Sequence, residues 1–154
     1  MSTIRDARSD RGTRTEVDVP AGDQGFHVSN LEIERIFFEA RNAYLGAIEI
    51  DDLWHQPVIP QVRELTTRFD AEVTGGTALT CTTRVVSRSR RAFVMEQALV
   101  DSARATLSAT CRSVHVTVGE EGAVEIPDDL WASIELYDGG PIPNLDTSHG
   151  QPAG

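Results

Sequence analysis

A chain of 154 residues, 40% hydrophobic and 25% charged, has the length of one domain and enough apolar side chains to bury a core. Its formal net charge of −10 argues against a broad nucleic-acid footprint, and no apolar run reaches the ~18 residues of a membrane span. Lysine is absent and every Lys/Arg cation is arginine, which excludes Schiff-base chemistry on a lysine and a P-loop lysine.

The start, Met1-Ser2-Thr3-Ile4-Arg5-Asp6, has no apolar signal-peptide core, so the expected address is the cytoplasm. Residues 1–12 mix Arg, Asp, Ser and Gly without periodicity and read as a flexible N-terminal arm. Residues 13–19 alternate and stop at Pro20, a first short strand. Ser29 with Glu32 three positions on forms a capping-box pattern. Behind it Ile33, Ile36, Phe37, Ala40, Tyr44, Ala47 and Ile48 recur at helical spacing, a long helix with one buried stripe that should end between Gly46 and Ile50. At ~100° per residue, Glu32 and Glu39 share one flank of that helix.

Four strand-like runs follow, over residues 58–73, 77–87, 92–100 and 105–118, separated by turns at Gly75-Gly76, residues 88–91 and Asp101-Ser102. The 92–100 run is almost continuously apolar and belongs at the centre of a sheet. Pro127 opens a short last helix, and residues 138–154, with Pro141, Pro143 and Pro152 among glycines, read as a disordered tail. The folded domain is therefore expected over residues 13–137. One strand, one long helix and four antiparallel strands make an α+β plan in which the sheet buries a face on the helix. Cys81 and Cys111 stand alone in strand-like runs and read as buried free thiols of a reducing compartment. His27, His55, His115 and His149 show no metal-ligand spacing, so no metal site is expected.

The densest chemistry lies where the helix begins. In Asp23-Gln24-Gly25-Phe26-His27-Val28-Ser29-Asn30 a carboxylate, an imidazole and an amide arrive at spacings of four and three. A helix N-terminus presents unpaired N–H groups and partial positive charge, which can hold an oxyanion beside such acid/base groups. Read alone, Asp23 is a turn residue, Asn30 a helix cap, and Glu39 a partner for Arg35 one turn back. Ser87-Arg88-Ser89-Arg90-Arg91 is a basic knot in an acidic chain. It is either a solvated hairpin turn or, through Arg88, Arg90 and Arg91, a seat for phosphates or for an acidic carrier protein. Trp54-His55 either packs a loop or lines a pocket.

Continued through Leu31 to Arg41, the stretch resembles the D-x-x-G-H-V-N-N…E-E-A-R signature of hotdog-fold acyl-CoA thioesterases of the 4-hydroxybenzoyl-CoA thioesterase-like group. The resemblance covers roughly residues 13–136. It implies a single hotdog fold, an antiparallel five-stranded sheet wrapped around a long central helix, paired as a homodimer or homotetramer with active sites between subunits. It implies hydrolysis of an acyl-CoA or acyl-carrier-protein thioester without metal or redox cofactor, and without nucleic-acid or membrane partners. Asp23 would attack the carbonyl or activate water, with His27 orienting substrate or moving a proton. Val28, Ser29 and Asn30 would hold the oxyanion, with Glu39 as helix carboxylate. His55 is a substrate-binding candidate only by its place between helix and second strand, where loop packing is the commoner role. Phe26 stands where the family has Gly, and Ile33 where it has an aromatic. These departures keep open a hotdog enzyme of natural-product (polyketide) assembly acting on a carrier-bound β-substituted chain. A non-catalytic hotdog that binds acyl thioesters is the reading of another class. No G-x-S-x-G elbow and no dinucleotide or P-loop glycine fingerprint is present. A hotdog hydratase places its His five residues after the Asp, one more than here.

Overall fold

The computed structural model describes residues 3–8, 12–19, 27–48 and 58–146. In chain order these form β1 (Thr3–Arg8), β2 (Thr13–Asp18), α1 (Asn30–Ala47), β3 (Ile59–Phe69), β4 (Ala78–Arg88), β5 (Ala92–Asp101), β6 (Thr106–Gly119), β7 (Gly122–Ala123) and α2 (Asp128–Asp138).

Helix α1 begins where the local code says it should. Ser29 is the N-cap in an extended conformation, and its Oγ accepts from the Glu32 N–H at 3.2 Å. Ile33, Ile36, Phe37, Ala40 and Tyr44 are buried along one stripe, as the periodicity predicts. Two positions differ. Ala47, the last helical residue, is exposed, and Arg41 takes a buried place in the stripe.

All strand pairs in the ladder are antiparallel, and the order is β1-β2-β4-β5-β6-β3, with β7 beside β6. β5 is central, which accounts for its apolar run. Phe93, Met95, Gln97, Leu99 and Asp101 alternate along one buried face of it, and Val94 is buried on the other. Register shifts at Val62/Glu64, Val85/Ser87 and Leu99/Val100 bend the ladder, as bulges do, so that it curves around a helix. The helix packs on β2 and β4 to β6 through two apolar clusters. Ile33, Ile36, Phe37 and Ala40 meet Val17, Leu79, Cys81 and Leu99, while Tyr44 and Ile48 meet Val85, Phe93, Leu130, Trp131 and Ile134.

The expected five strands become seven among the described residues, and the ends account for the difference. Thr3–Arg8, read from sequence within a flexible arm, pairs with β2 as β1. The segment read as tail begins as packed chain: Asp138 closes α2, Ile142 is buried, and the Arg88 N–H donates to Pro143 O at 3.0 Å. The second segment is held by distant partners that local periodicity does not report. β1 instead pairs with the adjacent β2, Arg8 opposite Thr13, and its sequence has no apolar alternation to announce it.

Asp138 is the tie point. One of its carboxylate oxygens accepts from Tyr44 OH and from the Val85 N–H, each at 2.9 Å, and its carbonyl accepts from the Gly12 N–H. Next to it Tyr137 OH meets Thr13 Oγ1 at 2.8 Å. Gly12 has φ +74°, and a Cβ there would fall 2.0 Å from Thr83 O, so only glycine lets the chain pass.

Candidate active site

The residues before α1 are stitched to the segment ahead of β4. His27 bridges to Thr74, the Val28 N–H donates to Val73 O at 2.7 Å, and His27 Nδ1 lies 3.4 Å from Glu72 Oε2. His27 is thereby held at the mouth of the helix with an exposed ring, a carboxylate on one nitrogen and solvent around it. Glu72 is a partner that the sequence pattern had not singled out.

The Val28 N–H is engaged by Val73 O and drops out as an oxyanion donor. The N–H groups of Ser29 and Asn30 have no acceptor among the described residues, and both residues are exposed. Two adjacent donors at a helix N-terminus, next to an imidazole, can hold a developing oxyanion. Asp23 and His55 lie outside the described residues.

Glu39 is elsewhere. Arg35 Nη1 bonds to Glu39 Oε1, while Arg35 Nε and Nη2 reach the two oxygens of Glu32 at 2.9 and 2.6 Å. The ion pair that the i, i+4 spacing offers is thus formed, with Glu32 completing a clamp. Glu39 stands nine residues past Asn30, ~13 Å further along the axis, so one subunit does not bring it to His27.

The basic knot is divided. Arg88 stacks its guanidinium 4.6 Å from the centre of the Trp131 ring and donates from Nε to Ser89 O. Arg90 Nε lies 3.5 Å from Glu125 Oε1. Arg91 makes no ion pair among the described residues, and Arg90, Arg91, Ser89 and Asp146 line a surface depression of about 480 Å³. Trp131 packs with Tyr44 and Ile48, which puts the knot at the C-terminal end of α1. An 18-residue helix is ~27 Å long, so His27 and the knot do not share a site within one chain.

Beneath α1 lies a polar group that residue-type reasoning missed. Arg41 Nη1 donates to Gln97 Oε1 at 3.0 Å and to Cys111 Sγ at 3.6 Å. Gln97 Nε2 donates in turn to Phe37 O and Thr83 Oγ1, both at 3.0 Å, and Thr67 Oγ1 donates to Cys111 Sγ. The signal was present in the spacing, since Arg41 follows Phe37 by four and precedes Tyr44 by three, but a charge reads outward by habit. Burial pushes the Cys81 thiol up to about 12 and raises Cys111 as well. His115, with Nε2 2.9 Å from Ser113 Oγ and its ring stacked on Phe93, is lowered to about 4 by burial and then by the Arg41 charge. No group of three His, Cys, Asp or Glu side chains among the described residues is placed to hold a metal ion.

Residues 18–134 match the thioesterase-like superfamily. The chain belongs to it. Solved structures share the fold of this family member at low identity. A 1,4-dihydroxy-2-naphthoyl-CoA thioesterase from Synechocystis is 17% identical over 79% of this chain and 93% of its own, with a TM-score of 0.67. A thioesterase from Thermus thermophilus in complex with coenzyme A and zinc is 21% identical over 84% of this chain and 96% of its own, with a TM-score of 0.70. A 4-hydroxybenzoyl-CoA thioesterase variant in complex with 4-hydroxybenzoyl-CoA is 15% identical over 80% of this chain and 99% of its own, with a TM-score of 0.69. No curated protein matches the chain. The α+β hotdog fold expected from the Asp23–Arg41 stretch is therefore the fold of this superfamily member.

Proposed function

We propose that the protein is an acyl thioesterase, releasing free acid and thiol from a thioester of coenzyme A or of an acyl carrier protein. The observation that carries this reading is the open start of α1, with the Ser29 and Asn30 N–H groups unengaged by the described residues beside His27, in a chain of the thioesterase-like superfamily. Asp23, four residues before His27, supplies the carboxylate. It either adds to the carbonyl, giving an anhydride that water opens, or takes a proton from the water that adds. Charge then gathers on the carbonyl oxygen against the helix N–H groups. Collapse of the adduct breaks the C–S bond, and the departing thiolate takes up a proton. The coenzyme A thioesters named for the solved relatives favour coenzyme A as the carrier.

The site is completed by a second copy of the chain. β3 is an 11-residue edge strand exposed along most of its length, with Val62, Leu65 and Phe69 each more than two-fifths accessible. An uncovered apolar edge of that length is a template for pairing. Leu31 and Phe38 on α1 are exposed as well, which supports burial against a partner. In such a pair the knot of one subunit serves the other, with Arg91, which makes no ion pair among the described residues, facing a phosphate. Two unpaired buried thiols support a reducing, cytoplasmic setting.

Ile33, one of the two departures behind the natural-product reading, is buried in the core cluster that also holds Val17 and Leu79. A panel of short, medium and aromatic acyl-CoA and acyl-carrier thioesters, followed by free-thiol detection, tests the proposal. Thiol release above buffer is the expected result. Tight binding of the thioesters with no release would make the protein a binder and end the hydrolase reading.

A further inference from the structure

Two rows of side chains cross the outer face of the sheet, the face turned away from α1. Gln97 and Cys111 point inward to Arg41, so their neighbours Glu96, Ala98, Thr110 and Arg112 point outward. Strand register lines them up. Arg84, Glu96 and Arg112 form one row across β4, β5 and β6, and Thr82, Ala98, Thr110 and Arg68 form the next, from β4 to β3. Long side chains beside short ones leave a trough. Arg84 and Arg112 wall it, the short residues make its floor, Arg68 stands at the β3 end, and its volume is about 750 Å³.

The charge of this trough is the reverse of the molecule's. The chain has 24 Asp and Glu against 14 Lys and Arg, yet three guanidinium groups line the trough for one carboxylate. That carboxylate is weakly committed. Glu96 Oε2 lies 4.0 Å from Arg84 Nη2 with both side chains about half exposed, a contact worth little. Arg112, opposite Glu96 on the next strand, makes no ion pair among the described residues. Arg68 is tethered through Nη2 to Asp70 at 2.8 Å, which stations its guanidinium at the end of the row. The hydroxyls of Thr82 and Thr110 add donors on the floor.

Size and charge together select the occupant. A docked protein covers ~800 Å² of each partner, whereas a bounded recess of this volume has the size that encloses a small molecule. Arg84 and Arg112 start two strand steps apart, ~10 Å, so one carboxylate satisfies one of them. Two linked phosphates present oxygens to both, and the guanidinium fork matches phosphate oxygens in pairs. A bare diphosphate leaves most of the trough unfilled, and the floor around Ala98 has room for a nucleoside.

We propose that the trough is a binding site for a nucleoside diphosphate, separate from the place where a thioester reacts. The helix that begins beside His27 packs on the opposite face of the sheet. The site stands on its own residues and does not rest on the thioesterase reading. Glu96 competes with the ligand for the same two arginines.

Calorimetry tests this with ADP, inorganic diphosphate, inorganic phosphate and adenosine, on the native chain and on Arg112→Ala, Glu96→Gln and Arg91→Ala. All three positions are exposed, so the variants keep the fold. ADP should bind most tightly, diphosphate less so, and phosphate and adenosine should not register. Arg112→Ala should weaken ADP by about tenfold, the usual worth of a charge-assisted contact. Glu96→Gln should tighten it by about threefold, the scale of an exposed ionic contact, and a merely structural glutamate would give no such gain. Arg91→Ala should change nothing. No ADP bound at millimolar concentration would overturn the inference, as would diphosphate binding as tightly as ADP. Loss of binding in Arg91→Ala with Arg112→Ala unaffected would move the ligand to the β4–β5 hairpin. Displacement of ADP by an equal concentration of coenzyme A would merge the trough with the substrate's own site and end the claim of a separate one. A native tetramer that Arg112→Ala splits, with no nucleotide bound, would give the outer face to a second copy of the chain and overturn the proposal.

Discussion

At the scale of single residues, Asp23 and Glu39 make opposite predictions. If Asp23 is nucleophile or base, Asp23→Asn keeps the shape and removes the charge, so kcat should fall on the order of 10²–10⁴-fold with little change in stability. Glu39 is bound to Arg35 and stands ~13 Å along the helix from Asn30, so Glu39→Gln should leave kcat within about twofold. A large kcat loss in Glu39→Gln would make the helix carboxylate the principal base. His115 gives a pH signature of another kind. Its folded value, about 4, lies below the usual 6.5, so the unfolded chain binds the proton more readily. Stability is therefore full above pH 6.5 and declines as pH falls toward 4, by on the order of 3 kcal/mol at the limit. In melting temperature against pH, His115→Gln should lack that decline between 6.5 and 4.

At the scale of elements, α2 depends on Asp138. Asp138→Ala strands the Val85 N–H and Tyr44 OH in the interior and should cost roughly 2–4 kcal/mol by urea denaturation. Ser29→Ala removes an exposed cap and should cost only about 1 kcal/mol. The difference between these two sites matches the difference in how legible they were. Ser29, Glu32 and the stripe behind them are neighbours in sequence, so the start of α1 could be placed from sequence to the residue and its end within the expected window. The strands β2 to β6 were legible for the same reason, through alternation and turn residues. The role of Asp138 was not, because its partners are 53 and 94 residues away. The packed segment around Ile142 escaped likewise, held by the distant β4–β5 turn, while β1 escaped because its pairing with the adjacent β2 leaves no apolar alternation in its own sequence. At the site, the Arg35 clamp followed from spacing, and the Asp23–Asn30 stretch drew its meaning from resemblance. Arg41 was missed because its burial is decided by Gln97 and Cys111, on two other strands.

At the scale of the whole molecule, the sheet has unlike edges. β1, six residues long, covers β2 on one side, while β3 ends the other with eleven residues and three accessible apolar side chains. Pairing through β3 is the expected assembly. Leu65→Glu with Phe69→Glu should convert a dimer to a monomer in light scattering at micromolar concentration, and should abolish turnover if the site is shared. A double variant that stays dimeric would move the interface elsewhere.

The placement of Cys81 and Cys111 has a practical corollary. Both are at most 2% exposed, on inward positions of β4 and β6, and burial holds their thiols protonated. A disulfide-exchange dye reacts with thiolates it can reach. In a hydrolysis assay its colour would come from liberated coenzyme A and not from the catalyst. With substrate withheld, the same dye becomes a clock for breathing of the sheet, because neither sulfur can react until the strands part from the helix. Ligands that tighten the closed state should slow that clock, which gives a readout of binding that needs no chemistry at the thioester.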